Sequence, residues 1–263
     1  MSVGVLIGVF RFPHLRHYAI PIFDMDEEFK LFTILSSYPL RRGYEEGAPE
    51  ETCSGCIVEF RGHRIVLTVS HAVRPDEKWA IELYYEDPKG TKLWEIGTMD
   101  FLTEVKSSGV TDVDVAFAKV PDDIESRFQQ FDENGKVAHS QRRVVLDCGL
   151  DVKPDETQTY GFSGLTRFTK EVQPPSLSHE IAGAKLQVEC NMEYMGLEEG
   201  LDRFKLDHDH PGDAEYKGCS GAPILSCEGE LVGLVIGGCK EKNEIYGLPL
   251  RNYTDAIKIS LES

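Results

Sequence analysis

This chain is short of positive charge. Its 28 lysines and arginines face 45 aspartates and glutamates, for a formal net charge of −17. Phosphate contacts need a basic face, so the balance argues against a binder of duplex nucleic acid. It argues equally against an anionic membrane surface as partner. No apolar run is long enough to span a bilayer. Met1 to Phe10 is apolar but short, and no cationic segment precedes it, so it does not read as a signal peptide. Internal repeats and low-complexity tracts are missing too. Cys53-Ser54-Gly55-Cys56 has the spacing of half a zinc knuckle, and His208-Asp209-His210 could add ligands, but there is no second C-x-x-C. His-x-His in an acidic loop reads as solvated. Leu201 to Pro211 carries Asp202, Asp207 and Asp209 without the spacing or terminal glutamate of an EF-hand. It reads as a flexible surface loop. The expectation is therefore no metal and no cofactor.

What is present reads as β-structure. The 263 residues are 41% apolar, enough for one large all-β domain or two small ones. Cys56 to Phe60 faces Arg64 to Val69 across Arg61-Gly62-His63, a hairpin pattern. Trp79 to Tyr85 and Lys92 to Met99 flank the turn Asp87-Pro88-Lys89-Gly90, and Val113 to Val120 alternates cleanly. Arg143 to Leu146, Gln158 to Phe162 and Ala184 to Glu189 continue the strands, while Pro121 to Gln130 is polar with room for a helical turn. Tyr253, Ala256, Ile257 and Leu261 fall at helical spacing, with Asn252 or Thr254 as the cap. Before residue 51, Val3 to Phe10 suits a strand and Asp24 to Phe32 the start of a short helix, followed by an acidic connector, Tyr44 to Glu51.

The chemistry lies in three turns. Gly218-Cys219-Ser220-Gly221-Ala222-Pro223 has the form G-x-S-G-x-P and precedes an apolar β run. Thr68-Val69-Ser70-His71-Ala72 closes Ile65-Val66-Leu67, and Asp114-Val115-Ala116-Phe117 opens another alternating run. His71, Asp114 and Ser220 thus stand 43 and 106 residues apart in the chain order His, Asp, Ser. A serine hydroxyl is a poor nucleophile near neutral pH. It needs a base within hydrogen-bond reach, and a carboxylate to hold that base in one tautomer. Asp112, two residues away on the same face of its strand, is the competing carboxylate.

In these motifs, over about residues 52 to 260, the chain resembles the trypsin-like (chymotrypsin-fold) serine peptidases. Asp114 is preferred to Asp112 because Asp-Val-Ala-Phe reproduces that family's pattern. The resemblance implies an all-β fold of two six-stranded antiparallel β-barrels with a C-terminal helix. Residues 1–50 would be a non-matching N-terminal extension, 51–135 the first barrel with His71 and Asp114, and 136–263 the second barrel with Ser220. The N–H groups of Gly218 and Ser220 would form an oxyanion hole. Ala214, Glu215, Ile236, Gly237 and Gly238 would line the pocket for the residue before the scissile bond, with Glu215 favouring a basic one. Ser220, not Cys219, holds the nucleophile's position.

Some residues depart from the secreted branch. Ala72 stands where a disulfide cysteine usually follows the histidine, so the seven cysteines are read as reduced thiols in a cytoplasmic protein. Cys219 replaces the aspartate that pairs with a new amino terminus after zymogen cleavage. Ile236 replaces a serine that commonly bonds the catalytic aspartate. The chain looks closer to the bacterial high-temperature-requirement and glutamyl endopeptidases. The implied function is a serine endopeptidase acting on protein substrates, restrained by a regulatory partner or by the first 50 residues. The alternatives are a catalytically latent scaffold used as a protein-binding module, or an esterase with the same triad.

Overall fold

The computed structural model describes residues 25–42, 51–87, 89–106, 109–166, 169–170, 182–183 and 186–262. Val3 to Phe10 and residues 44–50 of the connector lie outside them.

The first helix, α1 (Met25–Ser36), buries Phe29, Phe32 and Leu35, spaced three apart on one face. The first lobe follows with β1 (Tyr38–Arg42), β2 (Glu51–Phe60), β3 (His63–Thr68), β4 (Trp79–Glu86), β5 (Gly90–Glu95), β6 (Asp100–Lys106) and β7 (Gly109–Lys119). A hairpin, β8 (Arg127–Phe131) with β9 (Val137–Arg142), and the short β10 (Leu146–Asp147) lead onward. The second lobe holds β11 (Thr159–Leu165), the short pair β12 (Thr169–Lys170) and β13 (Ala182–Gly183), then β14 (Leu186–Glu198) and β15 (Leu201–Lys205). The one-turn α2 (Asp213–Tyr216) precedes β16 (Pro223–Ser226), β17 (Leu231–Cys239), β18 (Glu244–Pro249) and α3 (Thr254–Glu262).

The second lobe is a closed six-stranded barrel in the order β11-β14-β15-β18-β17-β16. The first lobe pairs as β5-β4-β1-β2-β3-β7-β6, with β10 lying parallel to β2. Among the described residues this ladder has two ends, so the first lobe differs from a closed six-stranded barrel. The long strand β2 explains the count, because its first half pairs with β1 and its second half with β3.

Each lobe has its own core. Trp79, Ile81 and Val66 centre the first, and Phe162, Tyr160 and Phe204 the second. A third cluster joins the lobes, bringing Val58, Leu67 and Phe117 against Leu225, Leu231 and Leu248. Ile257 and Leu261 of α3 add to it, and Lys119 Nζ donates to the Leu261 carbonyl at 3.1 Å. The junction between the lobes is therefore apolar.

The structure moves several expected boundaries. Residues 25–42 are not an appendage. β1 sits between β2 and β4, and Phe29 of α1 lies so close to β11 that a Cβ on Gly161 would stand 2.9 Å from its ring. The buried Arg143 guanidinium fastens the helix end by donating to the carbonyls of Ile34 (2.8 Å) and Ser37, where the helix dipole favours a cation. The second barrel's first strand begins at Thr159, and the chain before it forms the β8–β9 hairpin and β10. Arg127 to Gln130, within the segment expected to hold a helical turn, is strand. Leu201 to Lys205, within the expected flexible loop, is barrel strand β15. There Asp202 is buried, held by a two-point pairing with Arg251 (2.5 and 2.8 Å) and by the Tyr194 hydroxyl (3.1 Å).

Candidate active site

His71 sits on the turn after β3, where Ala72 N donates to Val69 O (3.2 Å) and Val73 N to Ser70 O (3.3 Å). Its Nδ1 lies 2.7 Å from Asp114 Oδ2 and its Nε2 3.1 Å from Ser220 Oγ. Asp114, on β7, also accepts the His71 backbone N–H at 2.8 Å and the Ser70 hydroxyl at 2.9 Å. Burial works against the charged carboxylate, but the bonds from the His71 ring and backbone, the imidazole's charge and the Ser70 hydroxyl outweigh it. The Asp114 pKa falls below its ordinary value. Asp112 is exposed, paired across the sheet with Thr103. The structure thus gathers His71, Asp114 and Ser220 at the cleft. The absence of serine at 236 is made good by Ser70, on the histidine's own turn. Ile236 packs against the core that joins the lobes.

The nucleophile turn is held from both lobes. Gly221 N donates to Val235 O (2.8 Å) in the second lobe, and Ser54 N from β2 of the first lobe donates to Ser220 O (3.0 Å). Ser54 Oγ donates to Gly218 O (2.9 Å) and accepts Leu165 N–H (3.1 Å), and Thr68 Oγ1 donates to Ser54 O (2.8 Å). Ser54 is fully buried. Sequence reasoning saw in Cys53-Ser54-Gly55-Cys56 only cysteine spacing. The working residue there is the serine between them. Both cysteines lie in β2, and among the described residues no cluster of three or more His, Cys, Asp or Glu could hold a metal. Ser54→Ala should orphan the Leu165 N–H and loosen the Gly218 peptide. We expect a loss of about 1–3 kcal/mol in stability and a drop of roughly 10- to 100-fold in kcat/KM, read by thermal melting and peptide kinetics.

Gly218 and Gly221 have φ of 107° and 84°, a region that L side chains rarely adopt. Among the described residues no acceptor takes the backbone N–H of Gly218 or Ser220, the two donors expected to form an oxyanion hole. Cys219 turns away. It is fully buried in the second core, and burial, with Glu189's charge, pushes its thiol up to about 12. It is no rival nucleophile.

The expected pocket residues divide. Gly238 is exposed at the end of β17, Gly237 has open space where a side chain would go, and Ile236 is half-buried. In α2, Ala214 is exposed and Glu215 half-buried, whereas Tyr216 turns inward. The side chains that a Cβ on Gly238 would meet are His210 and Ile245, and His210 in turn makes an edge contact with Tyr216 at 4.8 Å. Of the His-x-His expected to be solvated, His208 is exposed but His210 is buried, and sequence reasoning gave His210 no part in the pocket. Its signal was slight: one histidine a few residues ahead of the nucleophile turn.

No protein-family model and no curated protein matches this chain. Solved structures do. Human heparin binding protein superposes with a TM-score of 0.53 at 11% identity, covering 88% of this chain and 93% of that one. An atomic-resolution structure of HBP gives 0.53 at 10% identity, with the same coverage of both chains. The serine endoprotease from Yersinia pestis gives 0.49 at 13% identity, over 91% of this chain and 66% of that one. At these identities the likeness is one of fold, and the fold is chymotrypsin-like.

Proposed function

We propose that this chain is a serine endopeptidase of trypsin-like type. The observation that carries the reading is the His71 imidazole set between Asp114 and Ser220, at 2.7 and 3.1 Å. Ser220 Oγ attacks a peptide carbonyl while His71 Nε2 takes its proton. The oxyanion is met by the N–H groups of Gly218 and Ser220. His71 then protonates the leaving amine, and water, activated by the same imidazole, hydrolyses the Ser220 ester. Asp114 holds the ring so that Nε2 faces the hydroxyl and stabilises the imidazolium.

A buried cysteine at 219 cannot pair with a new amino terminus. That supports the kinship with high-temperature-requirement and glutamyl endopeptidases over zymogen-activated enzymes. All seven cysteines are free, which supports a cytoplasmic setting. The test is a fluorophosphonate probe together with peptide and simple ester substrates. The wild type should be labelled at Ser220 and should cleave peptides. Ser220→Ala should lose labelling and about 10⁶-fold in kcat. Ester turnover without peptide cleavage would favour the esterase. Absence of Ser220-dependent labelling would refute the enzyme.

A further inference from the structure

Glu189 of β14 is a buried carboxylate, 2% exposed, that the triad does not use. One of its oxygens accepts the Tyr216 hydroxyl (2.8 Å) and the Gln187 amide N–H (2.6 Å), and the other lies 2.7 Å from His208 Nε2. The opposite ring nitrogen of His208, Nδ1, lies 3.0 Å from the Asp209 carbonyl. Both ring nitrogens therefore face acceptors. A neutral imidazole has a single N–H and can satisfy one of them, whereas the imidazolium donates to both. The geometry is that of a buried carboxylate closed by a half-exposed cation. Removing the cation's charge would leave the carboxylate without its counter-ion.

Tyr216 carries this anchor to the nucleophile turn. Its backbone carbonyl accepts the Cys219 N–H at 2.9 Å, closing a four-residue turn over Lys217 and Gly218. Lys217 at φ −63° and ψ 113°, followed by Gly218 at φ 107°, makes it a type II turn. The central peptide of that turn holds the Gly218 N–H, one of the two donors expected in the oxyanion hole. In a type I turn the second residue's ψ is about −30° rather than about 120°, and the third residue's φ is about −90° rather than about 80°. That change turns the central peptide over and points the Gly218 N–H the other way. Cys219 offers no charge to hold the turn, because burial and Glu189's charge push its thiol up to about 12. The same influence on Cys219 places the Glu189 carboxylate beside the turn.

We propose that Glu189, His208 and Tyr216 are positioning residues: the ion pair, through Tyr216, holds the nucleophile turn in the form that presents the Gly218 N–H, and it lets go when His208 gives up a proton. The inference rests on the peptidase reading and names the regulation of its site by pH. Among the described residues, the titratable groups facing the pair are Asp207 (3.9 Å from His208 Nε2) and Asp209 on the loop, Tyr216 on α2, with His210 at its ring edge, and Cys219 on the nucleophile turn. β14 adds the neutral Gln187, and β11 sets Phe162 opposite Glu189. The Asp209 carbonyl, then the Glu189 bond and charge, raise the His208 pKa above its ordinary 6.5 against a cost of burial. A raised histidine lends stability that is complete below the unfolded value and is lost as pH rises through the folded one. The brace is therefore intact below pH 6.5 and releases above it. Burial, then Glu189, push the Tyr216 hydroxyl up, so it stays a donor throughout.

The experiment measures kcat and KM for peptide cleavage from about pH 6 to 9 in wild type, His208→Arg and Tyr216→Phe, with fluorophosphonate labelling of Ser220 and thermal melting in parallel. His208→Arg keeps a cation beside Glu189 at every pH. Relative to it, wild-type kcat should fall about 10-fold over that range. KM should barely change, because an oxyanion donor acts on the transition state. Tyr216→Phe leaves the pair in place but cuts its link to the turn. Its kcat should be about 10-fold lower throughout and no longer follow pH, while its melting temperature still declines with pH as in wild type. A constant ratio of wild type to His208→Arg, a loss carried by KM alone, or a Tyr216→Phe kcat that still falls with pH would overturn the proposal and leave the peptidase reading standing. If Ser220 is never labelled, the peptidase reading falls. The amide resonance of Gly218 then decides for the brace. A shift sharing its pH midpoint with the His208 ring, and absent in both variants, supports it, and a Gly218 resonance indifferent to His208 titration overturns it.

Discussion

Asp114→Asn should lower kcat about 10⁴-fold while the protein still folds. The carboxylate accepts from His71 Nδ1 (2.7 Å), from the His71 backbone N–H (2.8 Å) and from Ser70 Oγ (2.9 Å). Asparagine can keep one oxygen on the backbone N–H and Ser70. Its NH₂ then faces Nδ1, which must offer a lone pair, so the ring proton moves to Nε2. An Nε2–H facing Ser220 Oγ cannot accept the serine proton, and the base is lost. Steady-state peptide kinetics beside thermal melting would show the split between activity and stability. An Asn variant within tenfold of wild type would mean that the Asp114–His71 bond does not set the tautomer.

The same carboxylate defines a pH effect. The folded state holds its pKa below the ordinary 3.8. A depressed carboxylate lends stability that is fully present above the unfolded value and is lost as pH falls through the folded one. Through the neutral range Asp114 is therefore ionised. Stability should drop only below about pH 4. In Asp114→Asn that part of the acid loss should be absent when melting is followed from pH 5 downward.

How far the sequence could be read depends on where each residue's role is encoded. The three residues were legible because their turns, in that order, resemble those of the trypsin-like serine peptidases. Glycines surround Ser220 for backbone reasons, and His71 and Asp114 stand beside alternating apolar strands. The second barrel and α3 were legible as periodicity. β1 was not, since Tyr38-Pro39-Leu40-Arg41-Arg42 is short and its strand character comes from lying between β2 and β4. Ser54 was hidden for a similar reason. A serine between two cysteines declares nothing until the opposite lobe presents the Gly218 carbonyl and the Leu165 N–H to its hydroxyl. His210 was masked by its acidic, Pro- and Gly-bearing loop, which reads as solvated. Its burial comes from Tyr216 docking on it and from Asn243, 33 residues away, capturing its N–H. Long-range side-chain contacts leave no periodic trace, whereas strands and nucleophile turns do.

Gly221→Ala should disable the site from the opposite direction, through the backbone. At φ 84° an alanine is strained wherever it stands, and here its Cβ would collide with Ser54 O and Thr68 Oγ1. Neither neighbour can yield cheaply. The Ser54 carbonyl belongs to β2 and is bonded by Thr68, and Gly221 itself is tied to Val235. Strain and overpacking together should cost about 3–5 kcal/mol, a melting shift of roughly 10 °C. Relief by moving the turn would pull Ser220 away from His71 Nε2, so labelling should slow by about 100-fold or more. Gly62→Ala supplies the control. It has φ 78° in the β2–β3 hairpin, with open space where the methyl would go. It should therefore show the conformational cost alone, about 1 kcal/mol, and keep full activity. If Gly221→Ala melts no lower than Gly62→Ala and labels at the wild-type rate, the nucleophile turn is not clamped between the lobes. The oxyanion donors would then have to be held by something other than Ser54 and Val235.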